Sequence, residues 1–523
     1  MNSSDSTPGV AEQFFGRKLF MYGAHKEGIL RGAAGQIIAT RKGAICLGAK
    51  DGAVWITHLR EPKGGAIPYK LPATMVLGQE HLEALGILES PYDPFNCKYG
   101  DRETFRDVWY EEHGQVGVIH FDFHNGAMST EQCRDLRKVY LTAKQRPVKV
   151  LVLMGGKDFF SNGIHLNMIE AASNPTKESW NNIVAINGVV REILTNTNQL
   201  TVSAVEGNAG AGGVFLAIAS DKVWASQTSV LNPHYKTMGL FGSEYSTFTA
   251  PHRIGEEKAN LLKDQCLPIS AERAEKIKLI DQIVPKSLNF KEAVLLKASE
   301  LLDSCDNFIC KKKYNHVRGK YDQAMVGCES NELKKMYDNF NSDIYHMARK
   351  NFVYKIPAKE TPQHLVNNKI NHSVEAQTRG NILDGTKFAE QLKHQLSDQI
   401  ASLQKKDATF QPGLAIVQVG NREDSNVYVN KKLSMAKKIG IYAVHVKLPR
   451  DTTEHELIRA IDELNNENHI HGIMLQLPLD SSNKIKTSRV LDFVAPRKDV
   501  DAIGSTNLGK FFTIIIMVSG KFS

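Results

Sequence analysis

Tyr428 and Lys432 stand four residues apart at the start of a helical pattern, so a phenol and an ammonium project from one face. The apolar run Leu414 to Val419 reads as a buried strand, and the polar turn Asn421 to Asn426 follows it. The pair therefore falls just past the carboxyl end of a strand, where open α/β sheets place ligand chemistry. An isolated Tyr-x-x-x-Lys is more often an exposed turn with a solvated lysine, and here its surroundings argue otherwise. The segment His471 to Leu479 reads as a second buried strand with Gln476 in its apolar middle. A buried amide must be hydrogen-bonded, so Gln476 is expected to face a ligand or a side-chain network. The loop Ala495-Pro-Arg-Lys-Asp-Val-Asp501 then sets a carboxylate after the next helix.

A second constellation lies upstream. Val148 to Met154 and Leu200 to Val205 read as buried strands, opening into Gly155-Gly-Lys-Asp-Phe-Phe-Ser-Asn-Gly-Ile-His165 and Glu206-Gly-Asn-Ala-Gly-Ala-Gly-Gly213. Glycines at a strand-to-helix turn let backbone N–H groups approach a ligand, and the helix dipole favours negative charge there. One such turn is weak evidence because tight turns use the same residues. Two after two parallel strands are better evidence. Downstream, Leu231 to Tyr245 carries Tyr235 and Glu244 as acid/base candidates. The competing reading makes Tyr235 a core aromatic and Glu244 a surface carboxylate.

Gly-Asn-Arg-Glu-Asp-Ser-Asn-Val-Tyr-Val-Asn-Lys-Lys432, Leu-Gln-Leu-Pro-Leu479 and Lys-Asp-Val-Asp501 resemble the catalytic domain of bifunctional methylenetetrahydrofolate dehydrogenase/cyclohydrolases. Ile382-Leu-Asp-Gly385 resembles that family's opening segment. The resemblance implies a tetrahydrofolate derivative as ligand, bound through Ser425, Tyr428 and Asp501. It gives Lys432 the acid/base role at the one-carbon bridge, Tyr428 a stacking role on the pterin, and Gln476 a hydrogen bond to the lysine. Opening a methenyl bridge with water needs a proton shuttle working near neutral pH, which suits these residue types. The family usually has glycine after the second aspartate, where this chain has Ala502.

The two glycine-rich turns resemble the crotonase (enoyl-CoA hydratase) superfamily, which implies a coenzyme A thioester substrate. By that resemblance the amides of Asn162 and Gly212 form an oxyanion hole, each donor contributing about 3 kcal/mol. Phe215 and His234 stand where the hydratases carry glutamates, so hydration of an enoyl-CoA is not expected. With the β-rich segment upstream and Phe352-Val-Tyr-Lys-Ile-Pro357 downstream, residues from about 20 to 365 resemble the HypX/HoxX hydrogenase-maturation family. That family's formyl-CoA chemistry, with release of carbon monoxide, would fall to Tyr235 and Glu244. Its N-terminal β-rich segment is similar to the C-terminal barrel of a formyltransferase, a module that binds or braces rather than catalyses.

The elements that must position these residues define a multidomain α/β protein. Residues 1–100 are expected as a small β-barrel, with strands at Gly35–Arg41, Ala44–Gly48 and Ala53–Leu59. Residues 101–355 form the crotonase-like ββα spiral domain, 356–379 a linker rich in asparagine and proline, and 380–510 an α/β open-sheet folate-binding domain. After Lys510 the apolar tail 511–523 follows in place of a Rossmann partner, as in a truncation. Hydride transfer to NADP is therefore not expected of this polypeptide alone. Composition agrees with soluble chemistry on small molecules: 42% hydrophobic, 23% charged and a net charge of +8 over 523 residues. Scattered lysines suit anionic folates and coenzyme A, the run Cys310-Lys-Lys-Lys313 being a candidate for its phosphates, though a solvated helix face explains such a run better. No nucleic-acid module and no membrane span are read, and a homo-oligomer through either large domain is left open. Seven unpaired-looking cysteines and a start without a targeting pattern point to the cytosol, with mitochondria as the other compartment left open. Two function classes emerge, a one-carbon enzyme and a catalytically deficient folate- or CoA-binding scaffold.

Overall fold

The computed structural model describes residues 10–62, 64–96, 104–285, 289–317, 320–356 and 385–509. The chain forms two compact units, Met1–Asn368 and Lys369–Ser523. The linker at 357–379, the opening residues 382–384 and the tail 511–523 lie outside the described residues.

In the first unit the N-terminal strands are antiparallel: β1 (Val10–Phe14), β2 (Arg17–Glu27), β3 (Ile37–Arg41), β4 (Ala44–Gly48), β5 (Ala53–Arg60) and β6 (Leu71–Pro72). Their order is β1-β2-β5-β4-β3, with β6 also on β5. Among the described residues the expected small barrel is an open sheet. Closure requires a ladder between the two end strands; instead β3 meets loop backbone, Thr40 donating to the Leu88 carbonyl at 3.0 Å and accepting from the Ser90 amide at 2.7 Å. The sheet is fastened by a buried carboxylate, since Glu27 accepts from Trp55 Nε1 and Thr104 Oγ1, both at 2.6 Å.

The expected boundary near residue 100 falls inside this unit. Leu166, Met168 and Ala171 pack against the first sheet's core, and Asn167 donates to the Lys70 carbonyl at 2.9 Å. Beyond it stands a six-stranded sheet in the order β16 (Gln282–Val284), β13 (Lys222–Ser226), β11 (Leu200–Val205), β9 (Val150–Met154), β8 (Val116–Phe121), β7 (Val108–His113). Only the β7–β8 pair is antiparallel. β9 and β11 are buried along their whole length, as parallel strands covered on both faces must be. A smaller sheet, β10 (Phe159–Ser161), β12 (Asn208–Gly210), β14 (Val230–Asn232) and β15 (Ile269–Ser270), carries both glycine-rich turns. The helices Thr130–Ala143 and Pro175–Leu194 cover the large sheet; Ser129 with Gln132 closes a capping box on the first, and Asn174 caps the second.

The second unit has three parallel strands in the order β18 (Tyr442–Leu448), β17 (Gly413–Val419), β19 (Gly472–Leu475). The helices Glu423–Ile439 and Glu454–Asn466 connect them, the latter opened by a Thr453–Glu456 capping box. β19 ends at Leu475, so Gln476 sits just past the strand rather than in its middle. Among the described residues no helix is long and apolar enough to cross a membrane.

Candidate functional site

Two sites are built, one in each unit. In the first, the loop after β14 brings the Tyr235 hydroxyl to Glu244 Oε2 at 2.7 Å. Both are buried, Glu244 to 1% exposure, so it is no surface carboxylate. Phe215, on the helix Gly212–Ile218, stacks on the Tyr235 ring with centroids 5.5 Å apart. The Glu244 carboxylate lies directly on Gly212, where a Cβ would come within 2.1 Å of Oε1. Gly242 has φ +99°, and a Cβ there would strike the Tyr235 ring at 2.3 Å. Both glycines are thus demanded by close approach. Gly212 opens its helix, so its N–H is among the first-turn donors the helix itself cannot satisfy.

Burial dominates the electrostatics. It pushes the Glu244 carboxyl up to about 7, the Tyr235 bond opposing and the charge of Glu332 adding to the rise. The Tyr235 phenol is held well above its usual range, also first by burial and then by Glu244. Glu244 and Tyr245 both have left-handed backbone, φ +54° and +56°. For residues with side chains this costs about 1–3 kcal/mol each and persists only where neighbours enforce it. Asn187 enforces it from one side, its Oδ1 accepting from the Glu244 amide at 2.9 Å.

Asn162 departs from expectation. Its amide donates to the Gly126 carbonyl at 2.7 Å and its side chain to the Asn125 carbonyl at 2.7 Å. The backbone donor expected in an oxyanion hole is therefore spent on the neighbouring loop, and Gly212 is left as the free-standing candidate. His234, in the other hydratase position, is half-buried and bonds Thr237 at 3.2 Å. In the lysine run, Lys312 donates to Asp221 at 2.9 Å within a nearly buried pair, so it is an internal strut.

A cavity of about 970 Å³, lined in part by His58, His124, His165, Asp122 and Lys291, opens between the first sheet and the crotonase-like core. The His58 and His124 rings stack with centroids 4.2 Å apart, and the Nε2 of each makes no hydrogen bond. Burial lowers His124 to about 3 and His165 to about 4, and raises Asp122 to about 6. Sequence reading missed this histidine stack. Its members come from β5, from the short 3-10 helix His124–Gly126 and from the cap of the helix Leu166–Ala171, and no spacing links them.

In the second unit the Lys432 ammonium donates to Gln476 Oε1 at 3.0 Å, and Gln476 Nε2 donates to the Leu477 carbonyl at 2.8 Å. The lysine comes from the helix Glu423–Ile439 and the amide from the end of β19, so the strand-end placement puts them together. Asp501 lies within electrostatic range of Lys432; burial raises its carboxyl, the lysine opposes and Asp499 adds. Tyr428 is 59% exposed on the same helix, and Ser425 is buried. Ala502 has φ +53°, which explains why glycine suits that position. Behind the site, Gln418 bridges Asn426 and His445 at 2.8 and 3.0 Å.

These features define a multidomain α/β chain that joins a crotonase-like domain to a folate dehydrogenase/cyclohydrolase catalytic domain. Residues 111–361 match the enoyl-CoA hydratase/isomerase family, and residues 383–501 match the tetrahydrofolate dehydrogenase/cyclohydrolase catalytic domain. The chain is homologous to the HypX/HoxX hydrogenase-maturation factors over about 70% of its length. It is 38% identical to the hydrogenase maturation factor HoxX of Bradyrhizobium diazoefficiens, over 71% of this chain and 64% of that protein. HypX from Aquifex aeolicus, solved in complex with tetrahydrofolic acid, is 42% identical with a TM-score of 0.66, covering 71% of this chain and 66% of that one. The cytoplasmic C-1-tetrahydrofolate synthase of Homo sapiens is 49% identical over 25% of this chain and 14% of its own length. The chain thus spans less than two thirds of the relatives it matches.

Proposed function

We propose that this chain is a one-carbon enzyme whose crotonase-like half decomposes formyl-CoA to carbon monoxide and free coenzyme A. The observation that carries this reading is the buried Tyr235–Glu244 pair seated on Gly212, with a separation of 2.7 Å. A carboxyl near 7 is poised to exchange a proton at neutral pH. Ionised Glu244 takes the formyl proton as the carbon–sulfur bond breaks, Tyr235 gives its proton to the departing thiolate, and Glu244 returns the proton to Tyr235. Carbon monoxide and the thiol leave, and both side chains are restored. Gly212 supplies the amide that polarises the carbonyl.

The folate-like half, in this reading, binds a tetrahydrofolate derivative and hydrolyses its methenyl bridge. Lys432 moves the proton, Gln476 orients it, and Tyr428, Ser425 and Asp501 hold the pterin. NADP has no part in the proposal. The compartment proposed is the cytosol. The scaffold reading draws its support from the engaged Asn162 amide and the exposed Tyr428 ring.

Incubation with formyl-CoA and detection of carbon monoxide tests the enzyme reading. Wild type should release gas, and the Glu244→Ala, Tyr235→Phe double variant should not. Equal release from the two would leave the scaffold reading in its place.

A further inference from the structure

Glu332 lies on the helix Lys320–Phe340 and is 0% exposed. Its Oε1 accepts three hydrogen bonds, from the Thr247 amide at 2.6 Å, the Thr247 hydroxyl at 2.6 Å and the Ser246 hydroxyl at 3.3 Å. Its Oε2 makes none. A buried carboxylate with one oxygen unsatisfied is costly, and such groups mark places where a charge is being used. Ser246 and Thr247 immediately follow the left-handed residues Glu244 and Tyr245. Glu332 therefore grips the exit of the turn whose entry Asn187 grips.

We propose that Glu332 is a positioning residue for Glu244, fixing the left-handed turn through Ser246 and Thr247 and using its own negative charge to keep the Glu244 carboxyl ready to hold a proton. This rests on the reading of Tyr235 and Glu244 as the reacting pair. The groups that face Glu244 are Tyr235 from its own loop, Cys133 from the helix Thr130–Ala143, and Glu332. Burial keeps both the Tyr235 phenol and the Cys133 thiol neutral, so Glu332 is the charge that opposes ionisation of Glu244. Facing Glu332 are Tyr235, Tyr245 and Lys263, whose ammonium donates to the Ser246 hydroxyl at 3.3 Å. Lys263 in turn has Asp264, Cys328 and Lys335 nearby. The Ser246 hydroxyl thus links Lys263 to Glu332; burial raises the Glu332 carboxyl, while the three donors on Oε1 and the Lys263 ammonium oppose that rise and favour its ionised form.

The experiment is an infrared titration of the full-length protein, following the protonated-carboxyl band that disappears in Glu244→Gln. Glu332→Gln keeps the size and the acceptor oxygen but removes the charge. It should lower the Glu244 midpoint by about one pH unit and move the alkaline rise of carbon monoxide release by the same amount. A purely structural role would change rates without moving the midpoint. Should that variant fail to fold, the Ser246→Ala, Thr247→Val pair removes two of the donors, favours the neutral form of Glu332, and should shift the midpoint in the same direction. An unmoved midpoint in a folded variant overturns the proposal. The band is read without turnover, so a wild type that releases no gas defeats the formyl-CoA reading and leaves this result intact.

Discussion

The Tyr235–Glu244 site and the Lys432–Gln476 site hold the same kind of pair, a titratable group hydrogen-bonded to a neighbouring side chain, in opposite surroundings. Glu244 is 1% exposed and sits on a left-handed turn gripped from both sides, whereas Tyr428, beside Lys432, is 59% exposed on an ordinary helix. Desolvation tunes the first site before any ligand arrives. The second has its side chains in register at a more open strand end. A group that must hold a proton against water is built into a core, and a group that needs only to meet a ligand can stand at a strand end.

The largest test of that contrast is Lys432→Met, which should reduce hydrolysis of methenyltetrahydrofolate by about 100-fold or more, measured by loss of the methenyl chromophore. Equal rates would reduce the open site to a binding surface. Next comes stability against pH. Glu244 is raised from 4.5 to about 7 in the folded chain, so between those values the unfolded form has lost a proton that the folded form keeps. Stability from this group is therefore full below about 4.5 and falls as pH rises to 7, by a total on the order of 3 kcal/mol. Glu244→Gln should flatten that part of the melting-temperature profile, and an unchanged slope would argue that the carboxyl is solvated. The histidines work with the opposite sign. His124 and His165, lowered to about 3 and 4, should cost stability as pH falls below 6.5, seen as an acid-side drop in melting temperature that His124→Gln lessens. The smallest effect belongs to the open site, where Ala502→Gly should relieve the left-handed backbone and change stability by no more than about 1 kcal/mol in denaturant titration.

Much of the folate-like unit was legible because its signals are local. The run Leu414–Val419 falls within β17, and the four-residue spacing of Tyr428 and Lys432 is read directly from one helix. The strands Val150–Met154 and Leu200–Val205 were equally plain from unbroken apolar runs. The first sheet was harder. β2, its longest strand, carries Arg17, Lys18, His25, Lys26 and Glu27, which obscure the alternation, and whether a sheet closes depends on edges that sequence does not reveal. Tyr235 and Glu244 could be named but not paired, because their meeting depends on positive φ at two residues with side chains. Glu332 was invisible: it reaches Thr247 across 85 positions, and nothing in its own helix distinguishes it from a surface glutamate.

The stacking of Phe215 on Tyr235 limits what position 215 can hold. A hydratase would carry glutamate at position 215, yet here that position is 2% exposed and lies against the phenol that already serves Glu244. A carboxylate there would crowd another acid into the same dry chamber and strip the phenol of its apolar cover. One substitution at position 215 therefore carries two separate penalties.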